Sequence, residues 1–157
     1  MTEQKMKLPG KIFTESELQD LAVKNLNEDP KRRDADVKHI KSWIKQQPHL
    51  DKYVRQDDEF ILHFLRGTKF SLEKTKEKLE NWNTIRNLCP EFFTNWDPKA
   101  AKNAELLKCG VCIPLKGYDK HGRKVVIQRF GKVDAHKFNM EDCFKISLMI
   151  NQALIKE

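Results

Sequence analysis

Four segments between Thr14 and Pro90 repeat apolar residues at intervals of three and four, and this helical period restricts the possible folds more than any other feature. In the second segment, for example, Val37, Ile40 and Ile44 keep this spacing. Because only short connections separate the segments, the helices must bury their apolar faces against one another. The pattern therefore predicts a helical bundle in this part of the chain.

Start and stop signals indicate where these helices begin and end. Thr14 with Glu17 matches a capping box ahead of the first helix. Asp29-Pro30 predicts an N-cap and a first helical residue for the second. The acidic residues 57–59 favour the positive N-terminus of the third helix. Gly67 is expected to end that helix in the left-handed conformation, which glycine adopts without steric cost.

The apolar period changes beyond a helix that we expect at Ala100 to Leu107. Val111, Ile113 and Leu115 alternate as in a strand, and residues 117–122 (GYDKHG) are typical of a turn. Residues 124–130 are again strand-like, with three consecutive β-branched residues at 125–127. These features predict a β-hairpin that opens an α/β domain.

A last helix is expected to follow the hairpin. Asn139 is its predicted N-cap, and the helix is apolar on most sides, as in a helix buried between layers. The chain reaches Glu157 within this pattern, with no later element to cover the helix, which predicts that the second domain is truncated. The expected division is an N-terminal segment with a short helix at 1–28, a helical domain at 29–98 and the start of a second domain at 99–157.

The composition favours a folded protein with a highly charged surface. Apolar residues make up 39% and charged residues 34% of the 157 positions, and the formal net charge is +7. This charge favours anionic partners, although acidic residues are interleaved with the lysines. The sequence has neither a secretory signal nor an apolar stretch long enough to span a bilayer, so we expect a cytoplasmic protein. Its four cysteines are then expected to be reduced thiols.

Two blocks of sequence resemble the CRAL-TRIO lipid-transfer family. The resemblance is closest to the retinaldehyde-binding and alpha-tocopherol transfer branch, and the residues in the first block are similar to those of insect members. The first block is DDEFILHFLRGTKFSLEKTKEKLENWNTIRN. The second is PLKGYDKHGRKVVIQRF, followed by FNMEDCFKISLMINQALIKE. The resemblance implies a mainly α fragment, in which the family's N-terminal helical bundle is followed by the first hairpin and helix of a truncated α/β lipid-binding domain. It also implies a non-catalytic, monomeric carrier of one hydrophobic small molecule, with no cofactor or metal.

The family resemblance also implies the site residues. It places Phe144, Ser147 and Asn151 on the helix face that looks into the ligand pocket, and it adds Gln128 on the hairpin. Arg66 and Lys69 are the corresponding candidates for contact with phosphoinositide headgroups in a membrane. Relatives often carry a second arginine where this chain has Thr68.

Other functions remain open from the residues alone. A basic helical adaptor would bind an acidic membrane or another anionic partner through its lysine-bearing faces, although nucleic acid is not the expected partner. Cys109 and Cys112 form a CxxC pair, which would suit a redox enzyme only beside a helix N-terminus. With His121 and His136 they lack the spacing of a zinc finger. His63 is expected to be a packing or surface residue.

Overall fold

The computed structural model describes residue 10 and residues 12–155. The described chain is mainly helical with one small antiparallel sheet, which confirms the predicted fold class. The helices are α1 (Glu15–Leu26), α2 (Arg33–Lys45), α3 (Pro48–Asp51), α4 (Asp58–Gly67), α5 (Leu72–Leu88), α6 (Ala101–Cys109) and α7 (Met140–Leu154). The strands are β1 (Cys112–Pro114) and β2 (Val126–Gln128), with 3₁₀ turns at Pro90–Phe92 and Phe130–Lys132.

The chain separates into two compact units. One consists of residues 13–88, with α1 to α5. The other takes residues 89–155 together with the described residues at the start of the chain, and it holds α6, the hairpin and α7. The predicted domain boundaries at residues 28 and 98 remain a prediction about which part of the chain folds without the rest.

The helical unit has a continuous apolar core built from α2, α3, α4 and α5. Its buried members are Val37, Ile40, Ile44, Leu50, Val54, Ile61, Leu65, Phe70 and Leu79. Beside this core, Phe60, Phe64 and Trp82 pack their rings together, with centroids 5.0 to 6.2 Å apart. Tilted and edge-on ring contacts of this kind add to the stabilisation that comes from burial.

The second helix begins later than the sequence pattern predicted. It starts at Arg33, because residues 30–32 form a turn. The Asp29 carboxylate accepts a hydrogen bond from the Lys31 N–H at 2.9 Å, and the Asp29 carbonyl accepts from the Arg32 and Arg33 N–H groups. Asp29 thus closes a turn instead of capping the helix at Pro30. Another element absent from the expectation is α3, a single turn that places Leu50 in the core.

The end of α4 also differs from the expectation. Gly67 is the last helical residue and does not adopt a positive φ, whereas Lys69 and Phe70 do, at +53° and +58°. The Phe70 N–H donates to the Leu65 carbonyl at 2.8 Å, and the Lys69 N–H donates to the Arg66 carbonyl at 3.1 Å. This is the hydrogen-bond pattern of a Schellman motif, with lysine where glycine is preferred. The turn is closed by the apolar Phe70, which packs in the core.

The second unit contains the predicted hairpin and last helix. β1 and β2 pair antiparallel, with Cys112 opposite Gln128 and Pro114 opposite Val126. The backbone of Gly117 and Gly122 in the connecting turn has positive φ, at +87° and +75°. α7 begins with a complete capping box of Asn139 and Asp142, and it packs on α6 and β1 around the cluster Leu106, Val111, Phe138, Cys143 and Ile146.

Candidate functional site

Helix α7 carries three of the four residues expected to line a ligand pocket, and they differ in exposure. Ser147 is buried, and its hydroxyl donates a hydrogen bond to the Cys143 carbonyl at 3.0 Å. Phe144 is 48% exposed and its ring centroid lies 6.2 Å from that of Phe130. Asn151 is exposed. The helical spacing keeps all three on one side of α7, with Ser147 at the edge that faces the core.

The fourth residue, Gln128, lies on the hairpin opposite Cys112, the buried cysteine that Ser147 approaches. Gln128 pairs with Cys112 across the hairpin, so the two side chains are on the same face of the ladder. Burial raises the pKa of the Cys112 thiol, and the nearby Ser147 side chain partly opposes that shift. Gln128 is exposed whereas Cys112 is buried. The structure therefore brings Gln128 and Ser147 to the same side of the hairpin.

Large apolar side chains are exposed along α7 and at its C-terminal cap. Met140, Phe144 and Ile155 are 53%, 48% and 52% exposed. Met140 and Phe144 are one helical turn apart, and Ile155, which caps the C-terminus of α7, follows Phe144 by eleven residues. These intervals are close to multiples of the helical period, so the three residues lie on one side of α7. Isolated exposed apolar residues are ordinary, but exposed apolar residues that share one side of a helix can form part of a binding surface. We call these three residues the α7 apolar stripe.

The cysteines near this helix have the properties of packing residues. Burial raises the pKa of the Cys112 and Cys143 thiols, which favours the neutral form. Cys109 is the last residue of α6, and Gly110 then adopts a left-handed conformation. A thiolate is stabilised at a helix N-terminus, and this CxxC pair lies at a C-terminus. Among residues 10 and 12–155, no group of three or more His, Cys, Asp or Glu side chains is arranged to hold a metal ion.

Arg66, a candidate for headgroup contact, is engaged within the helical unit. Its Nε and Nη2 atoms donate to the Glu28 carboxylate at 2.8 and 3.1 Å. Gln19 and Arg33 approach the same carboxylate. The Glu28 side chain is fully buried, and the hydrogen bond from Arg66 lowers the pKa of Glu28. Sequence reasoning missed this network because an acidic residue beside Asp29-Pro30 carries no local sign of its partner.

Lys69, the other headgroup candidate, lies on a groove between the end of α4 and the first half of α5. The groove is lined by Gly67, Thr68, Lys69, Lys74, Glu77, Lys78 and Asn81. Within the described residues, none of the three lysines forms an ion pair. The Lys78 ammonium lies over the end of α4, 3.4 Å from where a Cβ on Gly67 would be. We call Lys69, Lys74 and Lys78 the lysine groove; the four-residue interval from Lys74 to Lys78 was a signal that the sequence offered.

No helix in the described part of the chain has both the length and the apolar character needed to cross a bilayer.

Comparison with known proteins finds one family model and several curated proteins that are similar to this chain. A family model described as Pinta-like, UBA domain, matches residues 29–103. The chain is 34% identical over 125 residues to alpha-tocopherol transfer protein-like of Homo sapiens, an alignment that covers 77% of this chain and 35% of the relative. It is 25% identical over 132 residues to clavesin-2 of Rattus norvegicus, covering 84% of this chain and 40% of the relative. The chain thus spans 35% to 40% of the length of the curated relatives that it matches.

Proposed function

We propose that this chain, a relative of the CRAL-TRIO proteins as its sequence resemblance predicted, forms part of a carrier for one hydrophobic small molecule. The α7 apolar stripe carries this proposal, because it offers exposed apolar surface on the side of α7 that also holds Ser147 and Asn151. The ligand class would be a retinoid, a tocopherol-like molecule or another lipid of similar size. Alpha-tocopherol transfer protein-like is the name of one group of relatives, and it supports this class.

The proposed binding is driven by burial of apolar surface. Each square ångström of apolar area removed from water contributes about 25 cal/mol. In this arrangement Phe144 would pack against the ligand, while Ser147, Asn151 and Gln128 would supply the few polar groups that orient it. The carrier would act without catalysis, as a monomer and in the cytoplasm. The raised thiol pKa values of Cys112 and Cys143 support a role without reactive cysteines.

A chimera would test the carrier function. Residues of this chain would replace the aligned part of the human alpha-tocopherol transfer protein-like relative, and a fluorescent tocopherol analogue would be titrated into the purified monomer. We expect saturable one-to-one binding, abolished by Ser147→Trp, which would put a large ring at the position proposed to face the ligand. The matched control is Lys108→Trp, at an exposed position of α6, which should leave binding unchanged. Undiminished binding by a folded Ser147→Trp chimera would contradict the proposal.

The lysine groove favours a second function, contact with a phosphorylated lipid headgroup. Lys69, Lys74 and Lys78 surround one groove without ion-pair partners among the described residues, and ammonium groups bind phosphate as point charges. Glu77 in the same lining opposes an anion. Arg66 contributes less to this proposal, because its guanidinium is engaged with Glu28.

Vesicle sedimentation would test the headgroup contact. The 157-residue protein should bind phosphatidylcholine vesicles that contain a phosphoinositide more strongly than vesicles without it. Lys74→Gln with Lys78→Gln should remove that difference. Lys38→Gln with Lys45→Gln changes the net charge equally on the exposed side of α2 and should preserve it. Equal losses in the two double variants would show that the groove has no specific role.

A further inference from the structure

The tip of the hairpin carries a concentration of positive charge that the carrier function does not use. Lys116, Lys120, His121 and Arg123 are all exposed in or beside the turn between β1 and β2. The only acidic residue between positions 112 and 128 is Asp119. The local charge therefore depends on whether Asp119 faces the solvent or is engaged within the turn.

Asp119 is engaged by the turn itself. Its carboxylate accepts hydrogen bonds from the backbone N–H groups of His121 and Arg123, at 2.8 and 2.9 Å. The Arg123 side chain donates to it through Nε at 2.8 Å and approaches through Nη2 at 2.7 Å. The hydrogen bonds from Arg123 lower the pKa of Asp119 to about 2. Asp119 thus neutralises Arg123 and fixes the shape of the turn.

Two lysines remain without a partner once this pair is set aside. Among the described residues, neither Lys116 nor Lys120 takes part in an ion pair. Lys124 places its ammonium 5.4 Å from the centroid of the Tyr118 ring. The hairpin therefore presents two exposed lysines that have no acidic partner among the described residues, on a turn that the Asp119 carboxylate stabilises. Although Gly10 packs against the Tyr118 and Asp119 carbonyls, both lysines are exposed, and two exposed lysines on one turn fit a broad anionic surface better than a single small anion.

We propose that this hairpin tip, Lys116 and Lys120 on the Asp119-braced turn, docks the protein on an anionic phospholipid surface. The choice of a bilayer rests on the proposed carrier function, because a carrier of an apolar ligand must exchange it with membranes. Lysines near an anionic leaflet strengthen binding by charge attraction. A single-stranded nucleic acid fits less well, since such binding relies on aromatic rings on which bases stack. The Tyr118 ring is already covered by the Lys124 ammonium.

The test measures sedimentation of the 157-residue protein with phosphatidylcholine vesicles, with and without phosphatidylserine. Lys116→Gln with Lys120→Gln should weaken binding to the phosphatidylserine vesicles by about 25-fold, from about fivefold for each lysine near the surface. Lys99→Gln with Lys108→Gln changes the same net charge at exposed positions of the same unit and should cause a much smaller loss. Circular dichroism of both variants checks that they are folded.

Three outcomes decide the inference. A selective loss in the Lys116 and Lys120 variant supports it. Equal losses in both double variants would overturn it, since net charge alone would then explain the binding. Selective loss of binding to a single-stranded RNA, with vesicle binding unchanged, would overturn it in favour of a nucleic-acid surface. The chimera that carries Lys116→Gln and Lys120→Gln should still bind the tocopherol analogue, so failure of ligand binding and failure of membrane docking are separate results.

Discussion

Glu28 and Arg66 form a bidentate ion pair, at 2.8 and 3.1 Å, that joins the segment after α1 to α4 in the helical unit. The carboxylate is fully buried, while the arginine side chain is 36% exposed. Breaking a buried pair leaves an uncompensated charge and costs more than the pair itself contributes. Arg66 therefore has a structural role that any test of membrane binding must separate from a binding role.

Arg66→Ala should destabilise the protein by about 3 kcal/mol, because it leaves the Glu28 carboxylate buried with the more distant Arg33 as its remaining cation. The pKa of Glu28 is lowered on folding from its ordinary 4.5. Its ionised form thus adds stability at pH values above 4.5, and this contribution is lost as the pH falls towards the lower folded-state pKa. Urea unfolding of the unchanged protein and of the Arg66→Ala variant, from neutral to acidic pH, would measure how the difference in unfolding free energy depends on pH. A cost for Arg66→Ala that stays constant with pH would contradict the assignment.

Lys69→Gly should raise stability by about 1 kcal/mol. A residue with a Cβ in the left-handed region costs roughly 1–2 kcal/mol, which glycine avoids, and Lys69 adopts φ +53°. The matched control is Lys78→Gly, within α5, which should destabilise by about 1 kcal/mol. Thermal unfolding would measure both. Destabilisation by Lys69→Gly would mean that the lysine side chain contributes more than its backbone strain costs.

Leu79→Ala should destabilise the helical unit by about 2–5 kcal/mol, since Leu79 is fully buried and the change leaves a cavity. Trp82→Ala should cost less than the 3–5 kcal/mol of a fully buried ring, because Trp82 is only partly buried. Lys76→Ala should cost less than Leu79→Ala, because the Lys76 side chain is still 20% exposed and its partner Glu73 is 84% exposed. Chemical denaturation gives the three values, and a Lys76 effect as large as that of Leu79 would show that the faces of α5 are misassigned.

A fragment of residues 13–88 should unfold cooperatively on its own, because it contains the whole core and the Glu28–Arg66 pair. A fragment of residues 29–98, the boundaries that the sequence suggested, lacks Glu28 and leaves Arg66 without its carboxylate. It should therefore melt at a lower temperature. Circular dichroism of both fragments is the measurement. If the fragment of residues 13–88 melts no higher than the fragment of residues 29–98, the boundary predicted from the sequence is correct.

Local signals predicted the parts of the fold that depend on neighbouring residues. The capping boxes of Thr14 with Glu17 and of Asn139 with Asp142 are both formed, because each is complete within four residues. The hairpin is likewise formed at its predicted place. The sequence pattern predicts a left-handed conformation at Gly67, whereas Lys69 and Phe70 adopt it instead. That choice depends on Phe70 reaching a core built by distant helices, which a local pattern does not encode.

The residues of the candidate ligand site were predicted from the sequence, whereas the contacts of the helical unit's basic residues were not. The resemblance supplied Phe144, Ser147, Asn151 and Gln128, and the structure places Gln128 and Ser147 beside the same cysteine. Their role in ligand binding stays a prediction. Helical spacing relates Lys74 to Lys78, but it does not predict that Lys69 joins them in one groove. Nor does it predict that the partner of Arg66 lies 38 residues away.

The 157-residue protein alone should show no saturable one-to-one binding of a fluorescent tocopherol analogue. The α7 apolar stripe is half exposed and provides one wall, whereas a ligand site normally buries about 70–90% or more of its ligand. Nonspecific dye binding is expected from exposed apolar surface and does not count as a site. Tight stoichiometric binding that Ser147→Trp abolishes would show that the described residues already enclose a pocket.

The most direct measurement is photo-crosslinking of a photoreactive tocopherol analogue in the chimera described above, followed by mass spectrometry of the labelled peptides. The carrier account predicts adducts concentrated on α7, at Phe144 and its neighbours Ser147 and Asn151, with competition by unlabelled ligand. Adducts confined to other parts of the folded, ligand-bound chimera, with α7 unlabelled, would contradict the assignment of this helix to the ligand site.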